Sequence, residues 1–307
     1  MKEIKYRLAL IFLILLGANG CLETELQPTL FDSMVEDERL SIFLEGMQLA
    51  NLDNALKNGT PITVFAPSND AFQTYFSENN ISGLGDIPIE ELRELMLYHV
   101  LGATTTLASL GTQYYLTPSP AGPGDRVIAI YIKNDAGSHS INTSTAVLEK
   151  DLGGLGGFYN IIDKVLRIPN VYNILEDNED FSALLAGVNT VPELADKFKD
   201  DELYTFFAIS NEDLETDLMA TFNVSNLNSL EERLKNDLLR SHVVDSFYTG
   251  QELLDPFLGD LNTLREGYTI TPQNASLIVL NDSSEVVIGN IQTTNGIIHV
   301  VNRLLPQ

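Results

Sequence analysis

The 307 residues leave room for two domains of about 100–200 residues each, and 44% apolar with 20% charged residues is the composition of a chain that buries a core. Lys and Arg number 18 against 43 Asp and Glu, for a formal charge of −25; this excludes nucleic-acid binding by phosphate neutralisation and disfavours docking of the folded part on anionic lipid. No acidic run has EF-hand spacing, and neither a cysteine cluster nor a histidine pair at helical spacing is present to hold zinc, so no cofactor or metal is expected.

At the N-terminus, Lys2, Lys5 and Arg7 precede the apolar run 8–16, which is too short to span a bilayer as a stable helix. Small residues follow, and then Cys21, the single cysteine of the chain. Ala18, Asn19, Gly20 and Cys21 resemble the lipobox of a bacterial lipoprotein signal, with Ala18 where leucine is usual. The resemblance implies cleavage before Cys21 and acylation of that residue, and several acyl chains on one residue supply stable membrane attachment. Leu22, Glu23, Thr24 and Glu25 resemble the surface-export signal of Bacteroidota lipoproteins, which favours the outer face of the outer membrane over its periplasmic face. Residues 21–30 are polar, contain Pro28 and read as a lipidated tether after a signal peptide at 1–20.

Beyond the tether, Leu40, Phe43, Leu44 and Met47 recur at near-helical spacing and predict a helix over 34–50. Residues 62–66 form a short β-branched apolar run ending at Pro67, a buried strand leading into a turn and a helix. Leu92, Leu95, Met96 and His99 share one face of a helix over 90–101. Pro118, Pro120, Gly122, Pro123 and Gly124 make 111–125 a loop or extended edge without regular structure. Strands are predicted at 126–133 and 160–168, the second closed by Pro169. The run Gly153, Gly154, Leu155, Gly156, Gly157 lacks the Lys-Ser/Thr of a phosphate loop and precedes a strand, so it reads as a flexible turn.

The second half follows the same programme: a helix over 171–185, a strand over 203–208, a helix over 230–243, and strands at 268–271, 277–280, 286–288 and 297–304. Three blocks recur in order at a spacing of about 140 residues, which means two whole domains rather than a solenoid. Thr63, Val64, Phe65, Ala66, Pro67, Ser68 and Asn69 recur as Thr205, Phe206, Phe207, Ala208, Ile209, Ser210 and Asn211. Tyr98 and His99 recur as Ser241 and His242, and the stretch from Gly157 to Leu166 recurs from Gly296 to Leu305. With the boundary at Pro169 and Asn170, the domains are 31–169 and 170–307, each with helices first and strands later, an α+β arrangement.

These blocks resemble fasciclin-like (FAS1) domains: 63–72 matches the family's T-V-F-A-P-[ST]-[ND]-x-A-F block, Tyr98 and His99 its Tyr-His motif, and 295–306 its closing N-G-x-I-H-V-I-D-x-V-L-x-P block. Asn160 stands where the closing histidine is expected, Ile209 in place of proline, Ser241 in place of tyrosine and Asn302 in place of aspartate. The resemblance implies two tandem wedge-shaped antiparallel β-sandwiches flanked by helices, and adhesion or interaction at a cell surface without catalysis. It makes Tyr98, His99 and His242 candidate interaction residues, although a histidine on an apolar helix face is also what a satisfied core residue looks like.

The sequence therefore describes a lipid-anchored interaction module of the bacterial outer membrane. Its partner is a protein there or an extracellular glycan or matrix. A narrower alternative is an accessory lipoprotein of a TonB-dependent nutrient-uptake complex that captures glycan or peptide. A hydrolase is the remote alternative, since no paired carboxylates stand in a recognisable constellation and no tryptophan is present to stack a sugar.

Overall fold

The computed structural model describes residues 27–274 and 277–305. Its frame is set by one strand pair in each half. In the first, β1 (Ile62–Pro67), β2 (Val100–Leu101), β3 (Gln113–Leu116), β4 (Ala129–Asp135), β5 (Ser138–Ile141), β6 (Thr145–Gly154) and β7 (Gly157–Ile162) form a seven-stranded sheet in the order β2-β1-β7-β6-β5-β4-β3. The central β1 and β7 run parallel, in register from Ile62 opposite Gly157 to Pro67 opposite Ile162, while the other pairs are antiparallel. The first and last strands of the domain thus meet at its centre, so the sheet is mixed.

Both faces of the central pair are covered, which explains its nearly continuous apolar sequence. Val64, Ala66, Tyr159 and Ile161 face the helices, packing with Phe43, Met47, Phe72 and Met96. Phe65 and Ile162 face the other way, packing with Ile128, Ile130, Ile132 and Ile141 of the outer strands. Register shifts in β6 between Val147, Glu149 and Leu152 mark bulges that bend the ladder and fold its outer part over the inner part.

The first-half helices are α1 (Leu30–Val35), α2 (Ser41–Leu49), α3 (Asp53–Lys57), α4 (Asn69–Glu78) and α5 (Ile89–Tyr98). The helix predicted over 34–50 is divided between α1 and α2, with a 3-10 turn over Glu38–Leu40 capped by the Asp37 carboxylate. The helix predicted over 90–101 stops at Tyr98, because Val100 and Leu101 pair with β1 as β2. Within 111–125, residues 113–116 are the edge strand β3; the prolines begin only at Pro118, so nothing in that stretch removes a ladder donor.

The second half repeats this plan with α6 (Val171–Asp177), α7 (Ser182–Val188), α8 (Pro192–Lys197), β8 (Tyr204–Ile209), α9 (Asn211–Phe222), α10 (Glu232–Ser241), β9 (Val243–Val244), α11 (Gly250–Leu253), a small β10 (Leu261–Asn262) and β11 (Thr269–Ile270) ladder, and β12 (Pro272–Asn274), β13 (Ile278–Leu280), β14 (Ser284–Thr293) and β15 (Gly296–Val301). Its larger sheet runs β12-β13-β14-β15-β8-β9, again with a parallel central pair, β15 and β8. The helix predicted over 171–185 breaks at Asn178, whose extended backbone caps the next turn through a side-chain bond to Asp180 N–H.

The glycine run is a tight hairpin and not a flexible turn. A Cβ at Gly157 would lie 1.8 Å from the Ile62 carbonyl oxygen, and Gly156 has a φ of +97°. Gly296 repeats the close approach, 2.6 Å from the Tyr204 oxygen. Gly157→Ala should therefore lower the unfolding free energy by about 3 kcal/mol or more, read as a shifted urea midpoint. Gly153→Ala, whose Cβ would meet only the Phe158 ring at 3.8 Å, should leave the midpoint nearly in place.

Candidate functional site

Tyr98 and His99 end α5 and are both 0% exposed, and His242 is 4% exposed. The Leu166 N–H donates to His99 Nε2 at 2.9 Å, so Nδ1 carries the proton and donates to the Leu95 carbonyl at 2.8 Å. His242 is wired identically, to the Leu238 carbonyl at 2.8 Å and from the Leu305 N–H at 3.1 Å. Each ring clamps the end of a helix to the segment that follows the last strand. Burial holds both imidazoles down at about 4. The Tyr98 hydroxyl donates to the Ala129 carbonyl at 3.1 Å and accepts from Asn142 Nδ2 at 3.0 Å. All three candidates are buried and have their polar atoms occupied within the domain, so they offer a partner no free hydrogen-bonding group in this conformation. Cys21 lies outside the described residues.

Two of the departures between the repeats, at Asn160 and at Asn302, exchange one hydrogen-bond acceptor for another. His299 accepts from the N–H of Asn290 at 3.4 Å through Nδ1 and donates to the Tyr248 carbonyl at 2.9 Å through Nε2. Asn160 in the same place accepts from the N–H of Asp151 at 2.9 Å and donates to the Val64 carbonyl at 3.4 Å. Asp151 and Asn290 are the matching bulge residues, with φ of 56° and 62°. Asp163 accepts from Ala146 N–H at 2.7 Å and Asn302 from Glu285 N–H at 2.9 Å, a task that needs only an oxygen. Ser68 and Ser210 cap the following helices, and Asn69 and Asn211 each donate to a carbonyl at 2.8 Å, of Glu38 and Glu179. Among the described residues, no group of three or more His, Cys, Asp or Glu could hold a metal ion.

The surface that remains is at the domain junction. Ala129 and Tyr114 pack against the core of the second domain, and the Tyr114 ring lies tilted by 44° against that of Tyr131, centroids 4.9 Å apart. Asn178 Nδ2 donates to the Tyr114 hydroxyl at 2.9 Å, Thr143 donates its hydroxyl proton to the Asp177 carbonyl, and Lys133 pairs with Glu179. Arg167 reaches Asp177 at 3.1 Å and Glu176 at 3.2 Å. Burial nevertheless raises the Asp177 carboxyl to about 6, with Arg167 opposing the shift. Arg126 stacks over Phe247, 4.7 Å from its centroid.

Beside these contacts runs a groove of about 580 Å³, walled by β3 and β4 on one side and by β14 and residues 178–181 on the other. Leu116, Val287 and Ile288 line it while remaining 54%, 54% and 45% exposed. Sequence reasoning missed these residues. The signal was in the run Val286, Val287, Ile288, where strand alternation must turn at least one apolar side chain outward.

The fasciclin domain family model matches residues 38–169 and 179–307, and the chain belongs to that family. It is similar to the transforming growth factor-beta-induced protein ig-h3 of Sus scrofa, 28% identical over 251 residues that cover 79% of this chain and 34% of that protein. It is also similar to Fasciclin-1 of Drosophila melanogaster, 24% identical over 337 aligned positions, 97% of this chain and 47% of the relative. The chain thus spans a third to a half of these relatives. Its fold resembles a solved FAS1 domain pair from the insect cell adhesion molecule Fasciclin I, with a TM-score of 0.53 at 18% identity over 89% of this chain and 98% of that one.

The buried histidines give the fold an acid sensitivity. Their pKa values of about 4, including that of His299, lie below the ordinary 6.5, so only the unfolded chain takes up these protons as pH falls. Stability is whole above pH 6.5 and should decline toward pH 4, each histidine adding up to about 1.4 kcal/mol per pH unit. Asp177, raised from 3.8 to about 6, works in the opposite sense below pH 6 and offsets one such site. Urea titrations across this range should show that His242→Gln removes one histidine's share of the slope.

Proposed function

We propose that this chain is a non-catalytic adhesion or interaction module, a FAS1 pair held at the bacterial outer membrane by a lipid on Cys21 and displayed outward. The observation that carries the reading is the domain junction. Two domains tied by buried side chains and ion pairs present their loops as one preorganised surface, and preorganisation lowers the entropy lost on binding. Membership in the fasciclin family supports it, and the domain pair of similar fold comes from a cell adhesion molecule. The polar side chains of the repeated motifs are occupied with backbone groups, which leaves them no part as acid, base or nucleophile. The partner in this reading is a protein of the outer membrane, a TonB-dependent transporter complex included, or an extracellular glycan or matrix. The charge of −25 favours partners with a basic face.

The test uses the full chain expressed in a Bacteroidota host. The wild type should incorporate an alkyne-tagged palmitate, be removed from intact cells by added protease, and increase attachment of those cells to a coated surface. Cys21→Ala should lose the label and the attachment together. A wild-type chain that takes no label and resists protease on intact cells would sink the anchored, outward-facing reading.

A further inference from the structure

We propose that the groove between the domains is a docking site for an extended apolar segment of a partner protein, bearing a lysine or arginine and added as a further strand along the free edge of β3. The inference deepens the interaction-module reading and rests on it.

The edge is open. Strand β3 ends the seven-stranded order, and among the described residues it pairs with β4 alone. Gln113 stands opposite Ile132 and Tyr115 opposite Ile130, and the same register continues as Thr117 N–H donates to the Ile128 carbonyl at 3.0 Å. Hydrogen-bonded pairs alternate in an antiparallel ladder. Thr117, Tyr115 and Gln113 therefore turn their backbone groups toward β4, and Tyr114 and Leu116 turn theirs away from it. Natural edges are blunted by lysine, proline or a bulge. Residues 113–116 carry none of these. Four residues at about 3.3 Å each offer roughly 13 Å of strand to an incoming chain.

The groove borders that edge. Thr112, Gln113 and Tyr114 all line it; consecutive strand side chains point to opposite faces, so the groove reaches the backbone edge and not only one face of the sheet. Leu116 on one wall faces the side of β14 that carries Val287 and Ile288, and these apolar side chains are each about half exposed. An apolar floor beside an unpaired edge is the arrangement of strand addition: main-chain bonds supply affinity and alternate side chains supply specificity.

Charge selects the occupant. Asp180 is the single residue carrying a charge at neutral pH among those lining the groove, and its carboxylate takes part in none of the ion pairs found among the described residues. A second copy of the chain would bring another charge of −25 to an edge-to-edge contact. A segment carrying a cation meets both the local carboxylate and the overall field.

The test is fluorescence anisotropy with the full chain in detergent micelles, against ten-residue peptides alternating valine and threonine with one central lysine. The comparison peptides carry glutamate in place of that lysine, or N-methyl groups on alternate amides. The lysine peptides should bind saturably, and N-methylation should weaken them at least tenfold. Leu116→Lys should weaken binding at least tenfold and Asp180→Asn at least threefold, with circular dichroism and the urea midpoint close to wild type. Asp180→Lys should reverse the preference toward the glutamate peptide. The proposal is overturned by lysine peptides that do not bind saturably, or by binding that survives both N-methylation and Leu116→Lys. It is equally overturned if the chain sediments as a dimer that Leu116→Lys dissociates, since the occupant is then a second copy. Cells that display Leu116→Lys and attach as well as wild type would overturn the groove while leaving the interaction module standing.

Discussion

The structure depends on the parallel pairing of the first and last strands of each domain. Ile62–Pro67 against Gly157–Ile162, and Tyr204–Ile209 against Gly296–Val301, bring residues about a hundred positions apart into register. Closing so long a loop costs conformational entropy that only a buried pair offsets, and both strands are accordingly buried on both faces. The glycines at Gly157 and Gly296 let the backbones approach where any side chain would meet a carbonyl oxygen. The helices gather on one side of this pair and the folded-over strands on the other, so each layer takes its position from it.

Around that pair, polar side chains finish what the ladders leave undone. His99 and His242 hold a helix end and the segment after the last strand in one grip. Asn160 and His299 satisfy the N–H of a bulge with chemically different rings and amides. Asp163 and Asn302 do the same with a carboxylate and an amide. A buried backbone donor left unsatisfied costs about 1–3 kcal/mol, so the position demands an acceptor and not a particular residue. This accounts for these two positions, where the repeats differ in identity while accepting from the equivalent backbone donor.

The junction uses strands of the first domain twice. Ile128, Ile130 and Ile132 fill its own core, while Ala129 and Tyr131 face the second domain. Tyr98 links the two layers, because its hydroxyl holds the Ala129 carbonyl and the Asn142 amide whose oxygen in turn accepts from Tyr131 N–H at 3.0 Å. The second domain has Ser241 in that place, its hydroxyl turned back to the Leu238 carbonyl at 2.7 Å. The tyrosine of the first domain thus supports the strand that carries the interface, whereas the serine of the second bonds within its own helix.

The sequence by itself determined the duplication, the order of helices and strands, the buried central strands and the histidines on apolar helix faces, because each is written in local periodicity or in the repeat. It did not reveal the parallel central pair or strand β6, gave β14 too short, and carried one helix through Asn178, since these are set by partners far along the chain. Leu116, Val287, Ile288 and Asp180 are scattered over about 170 positions and share no local pattern. Only the tertiary structure brings them to one groove, because the packing of one domain's outer strands on the other decides which half-exposed apolar side chains become neighbours. Tyr98 and His99 stood out in the sequence as a motif, and the fold turned them inward, where a buried hydroxyl and a neutral imidazole serve the backbone.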